Sequence, residues 1–353
     1  MRKIAVAAVL SFALTVAGEL SAAHAGGHKS VKDWTAVCNN LGACAAFGFT
    51  GEQDDSQGYL KLTRDAGGRT APAISVVHLV DQATKGGVWT LAVDGKPVTG
   101  VGPVRSSGGD NSERAALTGP AAASVVEALR DAATLQLMRD GKPAMTVSLA
   151  GSAAILLWVD DQQGRVGTIT ALSRKGTKAA SAVPPPKPAP MVAVAAPVSQ
   201  AGMPSSMPVA KLAALAATIV ECDPDQDQAN AAIVARLAPG VALWGPECSQ
   251  GAYNELNVFF VGDEKGGNLH RVTFPESPGL DQTSDDVLMN VAFDPKTQTL
   301  SSLSKARGLA DCGSVGDWVW DGKAFQLLRE TFMDQCRGVA LDDWPTIYVA
   351  RRR

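Results

Sequence analysis

Residues 179–210, AASAVPPPKPAPMVAVAAPVSQAGMPSSMPVA, hold eight of the chain's twenty prolines and one charged residue, Lys187. Proline fixes φ, removes a backbone donor and disfavours helix in the residue before it. Such a stretch is predicted to run extended and solvated, as a semi-rigid spacer. Folding must then happen on either side of it. The six cysteines sort accordingly, with Cys38 and Cys44 before the stretch and Cys222, Cys248, Cys312 and Cys336 after it. An even number on each side lets each half close its own bridges.

The N-terminus points to export. Arg2 and Lys3 precede an apolar run over residues 4–17, and Ala23-His24-Ala25 puts small residues at the two positions a signal peptidase reads. The expectation is a secretory signal peptide over residues 1–25, cleaved after Ala25. The run is shorter than the ~20 residues of a membrane span, and no later segment is long and apolar enough to make one. The predicted organisation is therefore a leader, an N-terminal domain over 26–178, a Pro/Ala-rich linker over 179–210 and a C-terminal domain over 211–353. A periplasmic or secreted chain meets an oxidising compartment, where paired thiols persist as disulfides. Cys38–Cys44 is the expected first bridge. Among the other four cysteines the neighbours Cys222–Cys248 and Cys312–Cys336 are favoured, although spacing leaves the connectivity open. A loop of that size stabilises by roughly 3 kcal/mol on chain-entropy arguments. A metal or redox role would call for a C-x-x-C or a histidine beside a cysteine pair, and the chain has neither.

Charge separates the halves. Residues 26–178 carry 16 basic and 14 acidic side chains, net +2, and residues 211–353 carry 13 and 20, net −7. Neither half has a basic stripe, so nucleic acid is not an expected partner. The terminal Arg351-Arg352-Arg353 reads as a solvated tail.

Taken in order, the first half opens with Trp34, Ala36 and Cys38 alternating as in a strand with one buried face. Asn39-Asn40-Leu41-Gly42 is turn chemistry, and a second strand starts at Cys44. Asp94-Gly95, Asp140-Gly141 and Asp321-Gly322 each join alternating runs, the strongest short-range hairpin signal. Pro120 and the apolar spacing behind it predict one helix. Ser152 caps a second that ends near Gly164, and residues 166–172 return to a strand pattern. In the second half, residues 212–217 and 229–237 read as helices. Short strands follow, separated by Gly, Pro and Asp, and residues 294–297 form a turn. The fold class is α+β: two domains of mostly antiparallel β-sheet with a few short helices.

Candidate chemistry is sparse. His28, His78 and His270 stand in no nucleophile motif, and Cys312-Gly313-Ser314-Val315-Gly316 lacks the first glycine of a nucleophile elbow. Asp223, Asp225 and Asp227 imitate the start of a calcium loop, but Gln228 and Val234 replace its glycine and its bidentate glutamate. These acids are read as charging a helix N-terminus. The doublets Asp54-Asp55, Asp160-Asp161, Asp285-Asp286 and Asp342-Asp343 point their members apart, so turn or surface roles are expected. Trp34, Trp89 and Trp318 alternate with polar neighbours and read as core, not as a sugar platform. No catalytic, metal or cofactor residue is expected.

Several segments together resemble a known family. They are DWTAVCNN over 33–40 with a second cysteine six residues on, Arg64-Asp65-Ala66-Gly67, and SLAGSAAILLWVDDQQGRVGTITAL over 148–172. In the second half they are CSQGAYN from Cys248, ARGLADCGSVGDWVWDGKAFQLL over 306–328, and Cys336-Arg337-Gly338. The resemblance is to an uncharacterised family of bacterial exported proteins with six cysteines, a domain of unknown function. It implies a periplasmic protein and no activity. The first half is also weakly similar to invasion-associated locus B proteins. The reading leans away from an enzyme, towards a disulfide-stapled module binding an envelope protein or glycan, one version of which is a hydrolase inhibitor. The alternative is a cell-wall or polysaccharide hydrolase with facing carboxylates.

Overall fold

The computed structural model describes residues 27–52, 54, 57–82, 84–206, 232–276 and 287–353. The predicted leader, the expected helix over 212–217, Cys222 and the three aspartates that follow it lie outside these residues.

The first half is organised by its opening strands. β1 (Gly27–Val31), β2 (Trp34–Cys38), β3 (Cys44–Phe49), β4 (Gly58–Arg64) and β5 (Ala73–Leu79) are successive antiparallel neighbours, and Ser112–Leu117 and Ser107–Gly108 complete a seven-stranded sheet. Cys38 faces Cys44 in register and is bridged to it. The Asn39 side-chain oxygen accepts the Leu41 and Ala43 amides and closes the turn between them. One face of the sheet, with Trp34, Leu60, Leu62 and Val76, packs into a core shared with a second sheet and two helices. That second sheet runs Lys142–Ser148, Thr134–Arg139, Val88–Val93 and Lys96–Pro97; the helices are α1 (Gly119–Ala128) and α2 (Ser152–Gln162). Its two hairpins turn at Asp94-Gly95 and Asp140-Gly141, and all four of these residues have positive φ, as the tight turn requires.

The other face of the first sheet is buried too. Phe47, Phe49, Tyr59 and Val77 form one apolar cluster with Cys312, Met333, Val339 and Trp344 of the second half. Burial of β2 and β3 is therefore continuous instead of alternating, which corrects the one-faced reading of the opening strands. The second half covers this face with a five-stranded antiparallel sheet: Ala292–Asp294, Thr299–Lys305, Gly313–Trp320, Phe325–Met333 and Thr346–Val349. The Cys312–Cys336 bridge brackets its central hairpin. Phe259, Phe274, Trp318, Trp320 and Phe325 form a separate core beneath it, with Phe274 edge to face with Phe259 and Trp318 and the Phe325 ring tilted against Phe274 and Trp320. Cys248 is disulfide-bonded as well.

Four further expectations change. Residues 229–237 were expected to be helical, yet Ala232–Ala238 is a strand paired with Val241–Gln250 across Pro239-Gly240. Ala235 and Leu237 enter the aromatic core on alternate positions, and Pro-Gly is turn chemistry for a hairpin as much as a helix stop. Residues 166–172 form successive turns, not a strand, because side chains capture their amides: Asp160 accepts Leu172 and Ser173, each at 2.8 Å. The third Asp-Gly pair closes a four-residue loop in which Gly322 has positive φ and Asp321 Oδ1 accepts the Lys323 and Ala324 amides. The Pro/Ala stretch is extended but docked. Val183 is buried, Met191–Val192 pairs in parallel with Arg351–Arg352, Ala195 donates to the Trp320 carbonyl, and Gln200 brackets the backbone of Arg236. The arginine tail is tied down with it, Arg352 donating to Thr297 and Thr299.

Close packing inside the first core gives a test. A Cβ on Gly48 would lie 2.4 Å from the Trp34 indole, whose Nε1 is fixed by a hydrogen bond to the Ser148 carbonyl. Gly48→Ala is expected to cost about 1–3 kcal/mol in urea unfolding. A loss under about 0.5 kcal/mol would show that the indole yields freely.

Candidate functional site

The two halves meet on a buried carboxylate. Asp343 sits on a short 3₁₀ turn, Leu341–Asp343. It accepts from Tyr59 Oη at 2.6 Å, from Lys61 Nζ at 3.1 Å and from an Arg114 Nη. All three donors come from the first sheet. Burial opposes ionisation of Asp343, but the hydrogen bonds from Arg114 and Tyr59 and the two cationic charges outweigh it and hold the carboxyl below its ordinary range. Burial first, and then the Asp343 charge, push the Tyr59 phenol up, so it stays a neutral donor. Further bonds run along the same seam. Asn40 exchanges two hydrogen bonds with the Val349 backbone. Asp334 accepts from Ser30 and Thr35 and is 2.7 Å from His28 Nε2. Arg337 donates to the Thr50 carbonyl and lies over the Phe49 ring.

Where this covering ends, a cleft of about 940 Å³ opens. Val77 and Val339 supply buried apolar lining, and Glu52, Arg307, Asp311 and Arg337 supply charge. The charges are mutually engaged. Arg307 grips both oxygens of Asp311, Gly338 N–H donates to the same carboxylate, and Arg337 pairs with Glu52. Burial opposes the Asp311 charge, yet Arg307 and the Gly338 amide hold its carboxyl below the usual range. A carboxylate so held is a structural anion at neutral pH, not a proton donor.

One rim of the cleft is the loop between Thr299–Lys305 and Gly313–Trp320. It is pinned on both sides of Gly308-Leu309. Ala306 N–H donates to the Cys312 carbonyl, and Ala310, at positive φ, donates to the Arg307 carbonyl. Arg307 reaches the Cys336 carbonyl, and Tyr253 Oη reaches the Ala306 carbonyl. Gly313 is obligatory at the exit, since its φ is +137° and a Cβ would meet the Ser304 carbonyl oxygen at 1.9 Å. From this pinned loop Leu309 projects 76 % exposed, with Leu341 beside the cleft at 43 %.

The residues singled out from sequence are dispersed. His28 is at the seam, His78 is half-buried in β5 and His270 is exposed. Two aspartate doublets are split as the alternation predicts, but one member of each is buried in a network instead of solvated: Asp160 with the loop after α2, and Asp343 at the seam. Asp54 caps the Gly51 amide, while Asp55 and Asp285-Asp286 lie outside the described residues. Trp34, Trp89, Trp244, Trp318, Trp320 and Trp344 are all buried and Trp158 is half-buried, so none forms an exposed aromatic platform. Among the described residues no cluster of three His, Cys, Asp or Glu side chains could hold a metal, and no helix is long and apolar enough to cross a membrane.

Part of the cleft and seam, including Asn40, Arg307, Asp311, Cys336, Arg337 and Gly338, falls in the segments on which the family resemblance rests. Comparison with known proteins matches residues 28–351 to the model for the protein family of unknown function DUF1176. The chain belongs to that family. It is 29% identical over 348 residues to the uncharacterised protein YpfG of Escherichia coli strain K12, covering 92% of this chain and 93% of that protein. No solved structure matches.

The seam yields two predictions. Asp343→Asn removes the charge that Lys61 and Arg114 require and is expected to cost about 3 kcal/mol in denaturant unfolding; Tyr59→Phe removes the hydroxyl that donates to Asp343 and accepts from the Ala340 amide, and costs about 1–2 kcal/mol. Equal and negligible losses would contradict the network. The second concerns acid. The Asp343 carboxyl is lowered from 3.8 in the folded chain, so its contribution is complete above the unfolded value and is lost as pH falls through the folded one. Wild type is therefore expected to lose its stability advantage over Asp343→Asn below about pH 4, with the gap constant from pH 5 to 7. A gap that widens on acidification would refute the assignment.

Proposed function

We propose that this chain is an exported, disulfide-stapled binding protein of the cell envelope, and that it engages an envelope protein through the 306–311 loop and the adjoining cleft. The observation that carries the reading is Leu309. It is a large apolar side chain exposed to solvent on a loop whose backbone is already fixed by a disulfide, a bidentate Arg307–Asp311 pair and turn hydrogen bonds. Presenting an apolar anchor without having to order it on binding is how inhibitor-like loops keep affinity high. The leader pattern of residues 1–25 and the bridged cysteines support export to the periplasm. The tryptophans that a polysaccharide hydrolase would use as a platform are core residues, and the cleft carboxylates at Asp311 and Glu52 are held by arginines. Both facts weigh towards binding.

The test is crosslinking of the exported chain in the cell, with mass spectrometry of what is captured, run in parallel on wild type and Leu309→Asp. One dominant protein partner, lost with Leu309→Asp while thermal unfolding is unchanged, is the expected result. Capture that survives Leu309→Asp, or retention on envelope glycan with no protein partner, would overturn it.

A further inference from the structure

A second cavity, remote from the seam, is built by different residues. It measures about 450 Å³, inside the ~300–1,000 Å³ range of small-molecule sites. Its walls are the 64–72 loop, the Ala123–Val126 side of α1, the turns over 169–175 and Ala180 at the start of the Pro/Ala strap. Pro72, Val126, Ile169 and Leu172 make it largely apolar, and Ile169 is left 57 % exposed there.

Arg64 also lines this cavity, 4 % exposed. Its Nε and one Nη both donate to the Thr70 carbonyl, at 3.2 and 3.1 Å. The other, Nη1, is buried and has no hydrogen-bond partner. A buried donor left unmade costs about 1–3 kcal/mol, and more when charged. Charge is unbalanced as well. Arg165 is fully buried nearby, and the buried carboxylate that faces both guanidinium groups is Asp160 alone among their charged influences. Asp160 gives its two oxygens to the Leu172 and Ser173 amides. Burial, and then the Arg165 charge, lower Arg64 to about 10. Arg165 satisfies itself on Gln163, Thr170, Thr70 and the Gly67 carbonyl, so the missing acceptor is at Arg64. The other charged lining residues are Arg69, Lys175 and Glu127, and Glu127 is already paired with Arg130 and Lys175.

We propose that this cavity binds a small amphiphilic carboxylate, its anionic head on Arg64 and its hydrocarbon body against Pro72, Val126, Ile169 and Leu172. An unpartnered Nη1 with two N–H donors and an excess of cationic over anionic groups around the cavity match an anionic head, and apolar walls match an alkyl or aryl tail. The site is independent of the 306–311 loop.

The experiment is calorimetric titration of the full chain with octanoate, and with 1-octanol as the uncharged control. Octanoate is expected to saturate a single site and octanol to bind at least about tenfold more weakly, the loss of one charge-assisted hydrogen bond. Ala123→Trp places an indole in the cavity from an exposed helical position and is expected to abolish octanoate binding without changing thermal unfolding. Arg64→Lys, which keeps the charge and loses the fork, is expected to weaken octanoate about tenfold. If Arg64→Lys fails to fold, the octanol comparison and Ala123→Trp decide. No octanoate binding, equal binding of octanol, or binding that survives Ala123→Trp would each overturn the proposal.

Discussion

The first sheet is buried on both faces, and the rest of the molecule follows from that. Strands whose inward residues fill one core would ordinarily leave Phe47, Phe49, Tyr59 and Val77 in water, a large apolar patch for a soluble domain. The second half removes it by laying Met333, Val339, Trp344 and the Cys312–Cys336 bridge over these residues. Apolar covering is non-directional, so it does not by itself set a register between the halves. Asp343 does. A buried carboxylate that must meet a phenol and an ammonium from β4 and a guanidinium from the Ser112–Leu117 strand is satisfied in one arrangement only.

The cleft is the edge of that covering, and the exposed loop beside it owes its rigidity to the same elements. Cys336 and Gly338 lie on the segment that leads to Asp343, and they also receive Arg307 and cap Asp311. The Pro/Ala strap adds a second tie. It runs from the cavity at Arg64, past the C-terminal residues, to Arg236. Proline-rich backbone suits this, because an extended strand poor in donors can dock through carbonyls and side chains without demanding a ladder.

Local signals in the sequence carried local structure. The paired positive-φ turns at Asp94-Gly95 and Asp140-Gly141, the Asn39 turn with its bridge, and the helices α1 and α2 are readable within a window of ten residues, but Ser152 does not cap α2: Gly151 holds the N-cap, and Ser152 Oγ donates to the Leu129 carbonyl instead. Failures came where side chains far apart decide. Ala232–Ala238 has helical composition, and its alternation matters only because Phe259 and Trp318 stand on one side of it. Residues 166–172 alternate like a strand, yet buried Asp160 and Arg165 claim their polar groups. Asp343 and Asp160 read as half of solvated doublets, since the Tyr59 partner of Asp343 lies 284 positions away and the amides that hold Asp160 lie 12 and 13 positions on, beyond the doublet itself. The orphaned Nη1 of Arg64 is equally invisible, although Arg64-Asp65-Ala66-Gly67 is one of the segments that carry the family resemblance.

Hydrogen exchange by mass spectrometry on the full chain tests the central claim most directly. If the doubly buried sheet unites the halves, amides of β3 and β4 and those of Gly313–Trp320 and Phe325–Met333 will share one opening free energy and exchange together as denaturant is raised. If the second-half hairpin opens at its own lower free energy while β3 and β4 stay fully protected, the halves are separate folding units and the account is wrong.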